Sequence, residues 1–120
     1  MIALAFAAAL AAAPLPPSRN QMTSGEWIVI AVGRVIAPDQ HPGECFIEGR
    51  VEQVLRGRAY RVGGPAALTL RCRAESLSPI AAAPGPSEPP TVSGLKATRH
   101  ALVHADAGGR VIDNGFWALP

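Results

Sequence analysis

Apolar and polar residues of this chain alternate in short runs that are separated by turns rich in Gly and Pro. The strongest run covers residues 27–36 (WIVIAVGRVI), which is β-branched and apolar on both faces up to Arg34. A strand that is apolar on both faces is typical of the centre of a sheet. Gly33 lies inside this run, and we expect it to mark a bend or a bulge.

Two further runs alternate with a two-residue period. In residues 45–55, Cys45 shares one face with Ile47, whereas Phe46 and three charged residues occupy the other face. The phase slips at Gln53, which predicts a bulge there. Residues 66–73 repeat the pattern, with Cys72 on the apolar face. Each segment is therefore predicted to be a strand with one buried face.

The last third of the chain is predicted to be a hairpin. Residues 97–105 form one arm, Asp106 to Gly109 form the turn, and residues 110–113 begin the second arm. Asn114-Gly115 is a second turn signal, after which Phe116 and Trp117 are expected to return onto the core. With the three earlier strands, this gives about five strands and favours a small sheet or barrel.

A proline-rich segment over residues 78–94 separates the third strand from this hairpin. Proline removes a backbone donor and fixes φ, so we expect a long surface loop without a regular helix or a central strand. Loops of this length in small domains are usually functional or disordered. The prolines are Pro79, Pro84, Pro86, Pro89 and Pro90.

The first residues have the pattern of an export signal. The run MIALAFAAALAAA carries no charge and ends at Pro14, which is typical of a signal h-region and too short for a membrane span. The alternative is a buried apolar helix of the fold. We expect residues 1–11 to be a signal peptide, with cleavage between 11 and 17. Residues 12–24 are then a flexible lead-in, and residues 25–120 form one β-barrel domain, placed in the periplasm or secreted.

The chain has two cysteines, Cys45 and Cys72. Each lies in phase with the buried face of its own strand, so the two sulfurs can meet if the strands are neighbours. In an exported protein this predicts one disulfide. The alternative is a pair of separate buried thiols.

The order of these segments resembles a known family. An apolar strand containing Val32-Gly33-Arg34-Val35 is followed by a strand ending in Val54-Leu55-Arg56-Gly57 and by a strand carrying Cys72. This resembles the netrin-like OB-fold domain of tissue inhibitors of metalloproteinases and of small bacterial exported proteins. The resemblance implies a five-stranded Greek-key barrel. Those inhibitors chelate zinc through a cysteine at the mature N-terminus, which has no counterpart here because Cys45 is the first cysteine.

The net charge of +2 implies no strong polyanion partner through bulk charge. Arginines are nevertheless concentrated in the second and third strands and their connection, which makes this face the candidate binding surface. An envelope protein or an anionic surface ligand would suit it. An OB-fold that binds single-stranded nucleic acid needs stacking aromatics as well; only Phe46 and Tyr60 are candidates, and export argues against this partner. The arginines are Arg50, Arg56, Arg58, Arg61, Arg71 and Arg73.

Candidate chemistry is sparse. His100 and His104 would lie roughly 13 Å apart on a strand, too far to share one ion, and His41 lies in a loop. No nucleophile, metalloprotease or phosphate-loop motif is present, so we predict no catalysis, metal site or cofactor. The leading hypothesis is an exported, non-catalytic binding module. A third alternative is a protease inhibitor that presents residues 78–94.

Overall fold

The computed structural model describes residues 15–38, 43–74 and 89–120. The proposed signal peptide, His41 and most of the proline-rich loop lie outside these residues. After a 3₁₀ turn over Arg19–Gln21, the elements are β1 (Glu26–Ile36), β2 (Glu44–Arg56), β3 (Pro65–Arg71), α1 (Val92–Ala97), β4 (His100–Ala105) and β5 (Val111–Leu119). Among the described helices, none has the length and apolar character needed to cross a membrane.

The five strands form one curled antiparallel sheet, a half-barrel with the order β3-β2-β1-β4-β5. The strand β1 lies at its centre, as its two apolar faces predict. From Trp27 to Ile36 β1 pairs with β2, and its first half, from Glu26 to Ala31, also pairs with β4. The mostly β architecture expected from the alternation pattern is therefore confirmed.

Bulges in the β1–β2 ladder occur where the sequence predicts them. The register skips Gly33 in β1, between the pairs of Val32 and Arg34. In β2 the register skips Glu52 and Leu55, on either side of the phase slip predicted at Gln53. Each extra residue increases the local twist and bend of its strand, which helps the sheet to curl.

The two ends of the sheet are joined by backbone hydrogen bonding at one point. Thr69 of β3 forms an isolated parallel bridge with Arg110, and the Thr69 amide donates to the Gly109 carbonyl over 2.8 Å. The contact lies beside the turn between β4 and β5, where Gly109 adopts a positive φ of 92°. Its absent side chain lets this turn approach the backbone of Ala67. Beyond this point no described backbone hydrogen bond joins β3 to β5.

The concave face of the sheet carries the core. Buried aliphatic side chains from β1 to β4 pack there around the disulfide between Cys45 and Cys72, and Leu95 of α1 joins them. From β5, the partly buried Val111 and Phe116 pack against this core. Cys45 pairs with Leu70 in the β2–β3 register, and Cys72 lies two residues beyond Leu70. The predicted disulfide is confirmed, because the shared burial phase of the two cysteines places both on the same face of neighbouring strands.

The helix α1 corrects the prediction for residues 78–94. It begins at Val92, inside the segment expected to have no helix. The prolines stop at Pro90, and the Thr91 side chain then caps the helix by accepting the Gly94 amide over 3.1 Å. Leu95 is fully buried and Val92 packs against the core, so two side chains anchor this helix of six residues. Because this helix runs to Ala97, β4 begins at His100 and not at residue 97.

Two other predicted boundaries also change. The strand β5 continues through the turn expected at Asn114-Gly115, because Asp113 and Asn114 take left-handed φ values of 51° and 55°. These residues lie in a bulge of β5. The β4 partner of Phe116 is Val103, and the next paired residues are Ala105 of β4 and Val111 of β5. The turn chemistry therefore bends the strand without reversing it. In addition, β3 ends at Arg71 and not at residue 73.

Candidate anion-binding hairpin

The six candidate arginines do not form one continuous patch. Arg56, Arg58 and Arg61 lie close together at the connection between β2 and β3. Arg50 pairs with Pro65 at one end of the β2–β3 ladder, whereas Arg71 pairs with Glu44 at the other end. Six residues of extended strand separate these two positions by about 20 Å. The structure therefore brings three of the predicted residues together and leaves the others apart.

We refer to residues 56–62 as the basic hairpin. Its three arginines are exposed, and Val62 beside them has a relative exposure of 67%. Arg56 donates from Nη1 to the Met22 carbonyl over 3.3 Å. The guanidinium groups of Arg58 and Arg61 form no hydrogen bond or ion pair with the described part of the chain. Both cations therefore remain available to a ligand.

Backbone hydrogen bonds hold the base of the basic hairpin in place. The Gly63 amide donates to the Val51 carbonyl over 2.7 Å, and the Val51 amide donates to the Gly64 carbonyl over 2.9 Å. On the opposite side, the Glu26 carboxylate accepts the Ala59 amide over 2.6 Å. The loop is thus connected to β1 as well as to β2, which reduces the ordering cost of binding.

Tyr60 connects the basic hairpin to the turn between β4 and β5. Its hydroxyl donates to the Asp106 carbonyl over 3.1 Å. Burial raises the pKa of the Tyr60 phenol above its usual value of 10.0, and the negative charges of Asp106 and Glu26 raise it further. The phenol therefore stays neutral and keeps its donor hydrogen at physiological pH.

The charge balance at the basic hairpin favours anions. The two nearby carboxylates are those of Glu26 and Asp106, and both accept backbone amides: Glu26 from Ala59, and Asp106 from Gly108 and Arg110 over 2.9 Å. The basic hairpin carries three arginines against these two carboxylates. Because the carboxylates are bound to the backbone and not to arginine, they do not occupy Arg58 or Arg61.

The other candidate arginines have separate surroundings. Arg73 donates from Nε to the Pro89 carbonyl over 3.1 Å and so ties the end of β3 to the segment before α1. Arg71 and Arg110 line a polar depression of about 310 Å³ with Asp113. Arg110 there forms an ion pair with Glu44 at 3.1 Å. Arg50 borders a shallow, largely apolar groove across β1 and β2.

The two described histidines have different roles. His100 Nδ1 lies 2.7 Å from Glu52 Oε1 at the surface, whereas His104 is buried and its Nε2 lies 2.8 Å from the Ser24 carbonyl. A carbonyl only accepts, so Nε2 carries the proton of that bond. Across residues 15–38, 43–74 and 89–120, no three His, Cys, Asp or Glu side chains are grouped to hold a metal ion.

Aromatic side chains do not line the basic hairpin as a series of stacking platforms. Tyr60 is half-buried and uses its hydroxyl, and Phe46 is half-buried on β2. Trp27 and Trp117 stack on each other elsewhere, on the outer face of the sheet. Sequence reasoning missed Glu26 and Val62 as parts of this site; the turn signal Gly63-Gly64 could have placed Val62 at an exposed tip.

Comparisons with known proteins add no assignment to this geometry. No protein-family model, curated protein or solved structure matches the chain, and none of the comparisons therefore names an enzyme.

Proposed function

We propose that this chain is an exported, non-catalytic binding module, and that the basic hairpin binds phosphate or carboxylate groups on an envelope surface. The observation that carries the proposal is the pair of uncommitted guanidinium groups of Arg58 and Arg61. They stand beside the exposed Val62 on a hairpin that is already held in place. A ligand would find two cations and an apolar contact that need little rearrangement.

Several features support an OB-like barrel related to the netrin-like domain. The central β1 pairs with both β2 and β4, and the end strands β3 and β5 approach each other in parallel at Thr69 and Arg110. A short helix lies between β3 and β4, where an OB-fold often carries one. A netrin-like domain remains our interpretation, without the zinc-chelating mechanism of the metalloproteinase inhibitors.

The disulfide supports export. Disulfides persist in oxidising compartments and are rare in the cytosol of most organisms. The bridge between Cys45 and Cys72 is buried, and the residues before the domain have the pattern of a signal peptide.

Export has a direct test. The full chain would be expressed in a bacterium from its own N-terminus, and its intact mass would be measured with and without reductant and a thiol label. We expect a mass that lacks roughly the first 11 residues. Both thiols should react only after reduction. An uncut chain with two reactive thiols would refute export.

Ligand binding is tested with vesicles of phosphatidylglycerol and phosphatidylcholine, compared with vesicles of phosphatidylcholine alone. An acidic polysaccharide and a single-stranded oligothymidine are additional probes. We expect binding to at least one of the two surface probes, weakened by salt. The double variant Arg58→Gln/Arg61→Gln should bind on the order of tenfold or more weakly, because each basic residue near an anionic surface contributes about 1 kcal/mol.

The matched control is Arg34→Gln/Arg71→Gln, which removes the same charge from exposed positions far from the basic hairpin: Arg71 lies at the other end of the β2–β3 ladder, and Arg34 lies eight residues along β1 from Glu26. We expect its binding to stay within about twofold of the native chain, since exposed charges more than a Debye length away are screened. Equal losses in both variants would mean that only bulk charge matters. Binding to oligothymidine alone would assign the basic hairpin to nucleic acid.

A further inference from the structure

The outer edge of β5 is open in the described chain. This strand ends the sheet and pairs only with β4. The hydrogen-bonded contact between the two ends of the sheet joins Thr69 of β3 to Gly109 and Arg110. Both of these last residues precede β5. Outside the β4 ladder, no backbone hydrogen bond between described residues involves Val111–Leu119. Among described residues, the outward amides and carbonyls of residues 115–119 therefore have no strand partner.

The opposite end strand, β3, is partly bonded at its outer edge. Pro65 at the start of β3 has no amide hydrogen, and the Thr69 amide is bonded to Gly109. Beyond the strand, Arg73 forms a bridge with Thr91. Between described residues, β3 is therefore bonded at its outer edge near its middle, whereas residues 115–119 of β5 have no such bond.

The free edge of β5 contains an uncharged window over residues 115–119 (GFWAL). On one side it is bounded by Asp113 and Asn114, whose left-handed conformations bend the strand. On the other side it is bounded by Pro120, which has no amide hydrogen. The midpoint of this window is Trp117. An antiparallel copy of the window would place Gly115 opposite Leu119 and Trp117 opposite itself, with no charged residue facing another.

We propose that two copies of the chain pair antiparallel through residues 115–119, joining two half-barrels into one continuous sheet. A two-fold contact of this kind needs only one surface that complements itself, and the uncharged window meets that condition. The edge is held before pairing, because Trp117 stacks on Trp27 and Phe116 packs against the core. The interface is small, so the dimer should be a weak one that forms at micromolar concentrations or above.

The test is sedimentation velocity of the disulfide-bonded protein over a wide concentration range. We expect the native chain to sediment increasingly as a dimer. Ala118 is exposed on β5, so Ala118→Lys should fold and weaken the dimer by about tenfold or more, because paired copies bring two lysines together at the edge. The matched control is Ala67→Lys, an exposed alanine on the other end strand, and it should dimerise like the native chain.

A second measurement covers the case in which Ala118→Lys fails to fold. Hydrogen exchange of the native chain should slow at residues 115–119 as concentration rises, with no change along β3. The proposal is overturned by a native chain that stays monomeric, by a dimer that Ala118→Lys leaves intact, or by protection that appears elsewhere. Arg58→Gln/Arg61→Gln should leave dimerisation unchanged, so this inference does not depend on the ligand proposed for the basic hairpin.

Discussion

The imidazole of His104 stacks on the indole of Trp27, with ring centroids 4.0 Å apart and planes inclined by 9°. The two residues face each other across β1 and β4, and Trp117 of β5 stacks on Trp27 at 5.8 Å. This outer cluster is closed by the segment before β1. Trp27 Nε1 donates to the Thr23 carbonyl, and His104 Nε2 donates to that of Ser24. The half-barrel therefore has a second, smaller core on its convex face.

Removing the His104 ring should destabilise the fold. We expect His104→Ala to lower the free energy of unfolding by about 2 kcal/mol, because it removes an aromatic stack and a buried hydrogen bond. The measurement is urea denaturation followed by tryptophan fluorescence. His100→Ala is the matched control: its contact with Glu52 is exposed, and its loss should cost less than about 1 kcal/mol. Equal effects would contradict a structural role for the outer cluster.

Gly25 is expected to be less tolerant of a side chain than Gly63. Both have positive φ, but a Cβ at Gly25 would lie 2.7 Å from His104 Nε2, whereas a Cβ at Gly63 would meet nothing within 4 Å. Gly25→Ala should therefore lower the melting temperature more than Gly63→Ala, by a margin corresponding to at least about 1 kcal/mol. Differential scanning calorimetry of both variants gives this comparison. Equal melting temperatures would show that the segment before β1 moves away at little cost.

Reduction of the disulfide should cost a large part of the stability. Cys45 and Cys72 are 27 residues apart, and closing a loop of that length constrains the unfolded chain by about 3.5 kcal/mol. We expect the urea midpoint to fall when reductant is added. The double variant Cys45→Ala/Cys72→Ala should match the reduced native protein and be insensitive to reductant. A midpoint that reductant does not change in the native protein would contradict this expectation.

The titration of Tyr60 should be visible without interference, because it is the only tyrosine in the chain. Its pKa in the folded protein is raised by burial, then by Asp106 and Glu26, so the unfolded chain loses this proton at lower pH. The contribution of Tyr60 to the free energy of unfolding is therefore fully present below pH 10. It is lost as the pH rises through the pKa of the folded state. Tyrosinate absorbance should rise at higher pH in the folded protein than in denaturant. Coincident titration curves would contradict the burial of the phenol.

For Tyr60→Phe we expect the alkaline loss of stability to become smaller, since no phenol remains to titrate. At neutral pH the variant should lose about 1 kcal/mol, the typical value of a hydrogen bond such as that to the Asp106 carbonyl. Denaturation curves at neutral and alkaline pH separate the two effects. An unchanged alkaline loss would assign it to other groups.

Local pattern was a reliable guide where one rule acted alone. The two apolar faces of residues 27–36 predicted the central strand, and the phase slip at Gln53 predicted irregular pairing in β2. Local pattern was misleading where two signals overlapped. Pro90 and Thr91 are neighbours, yet the first belongs to a loop and the second caps a helix. At Asn114 a turn residue bends β5 without ending it, because the pairing with β4 resumes at Phe116.

The sequence by itself determined the β class, the central strand, the turn at Asp106–Gly109 and the pairing of Cys45 with Cys72. These properties depend on side-chain periodicity and backbone preference within a few residues. Only the tertiary structure decided which arginines share a surface and which edge of the sheet stays open. Arg58 and Arg71 belong to one predicted face, yet they lie at opposite ends of the β2–β3 hairpin. Strand order and register are set by long-range contacts that no local pattern of residues encodes.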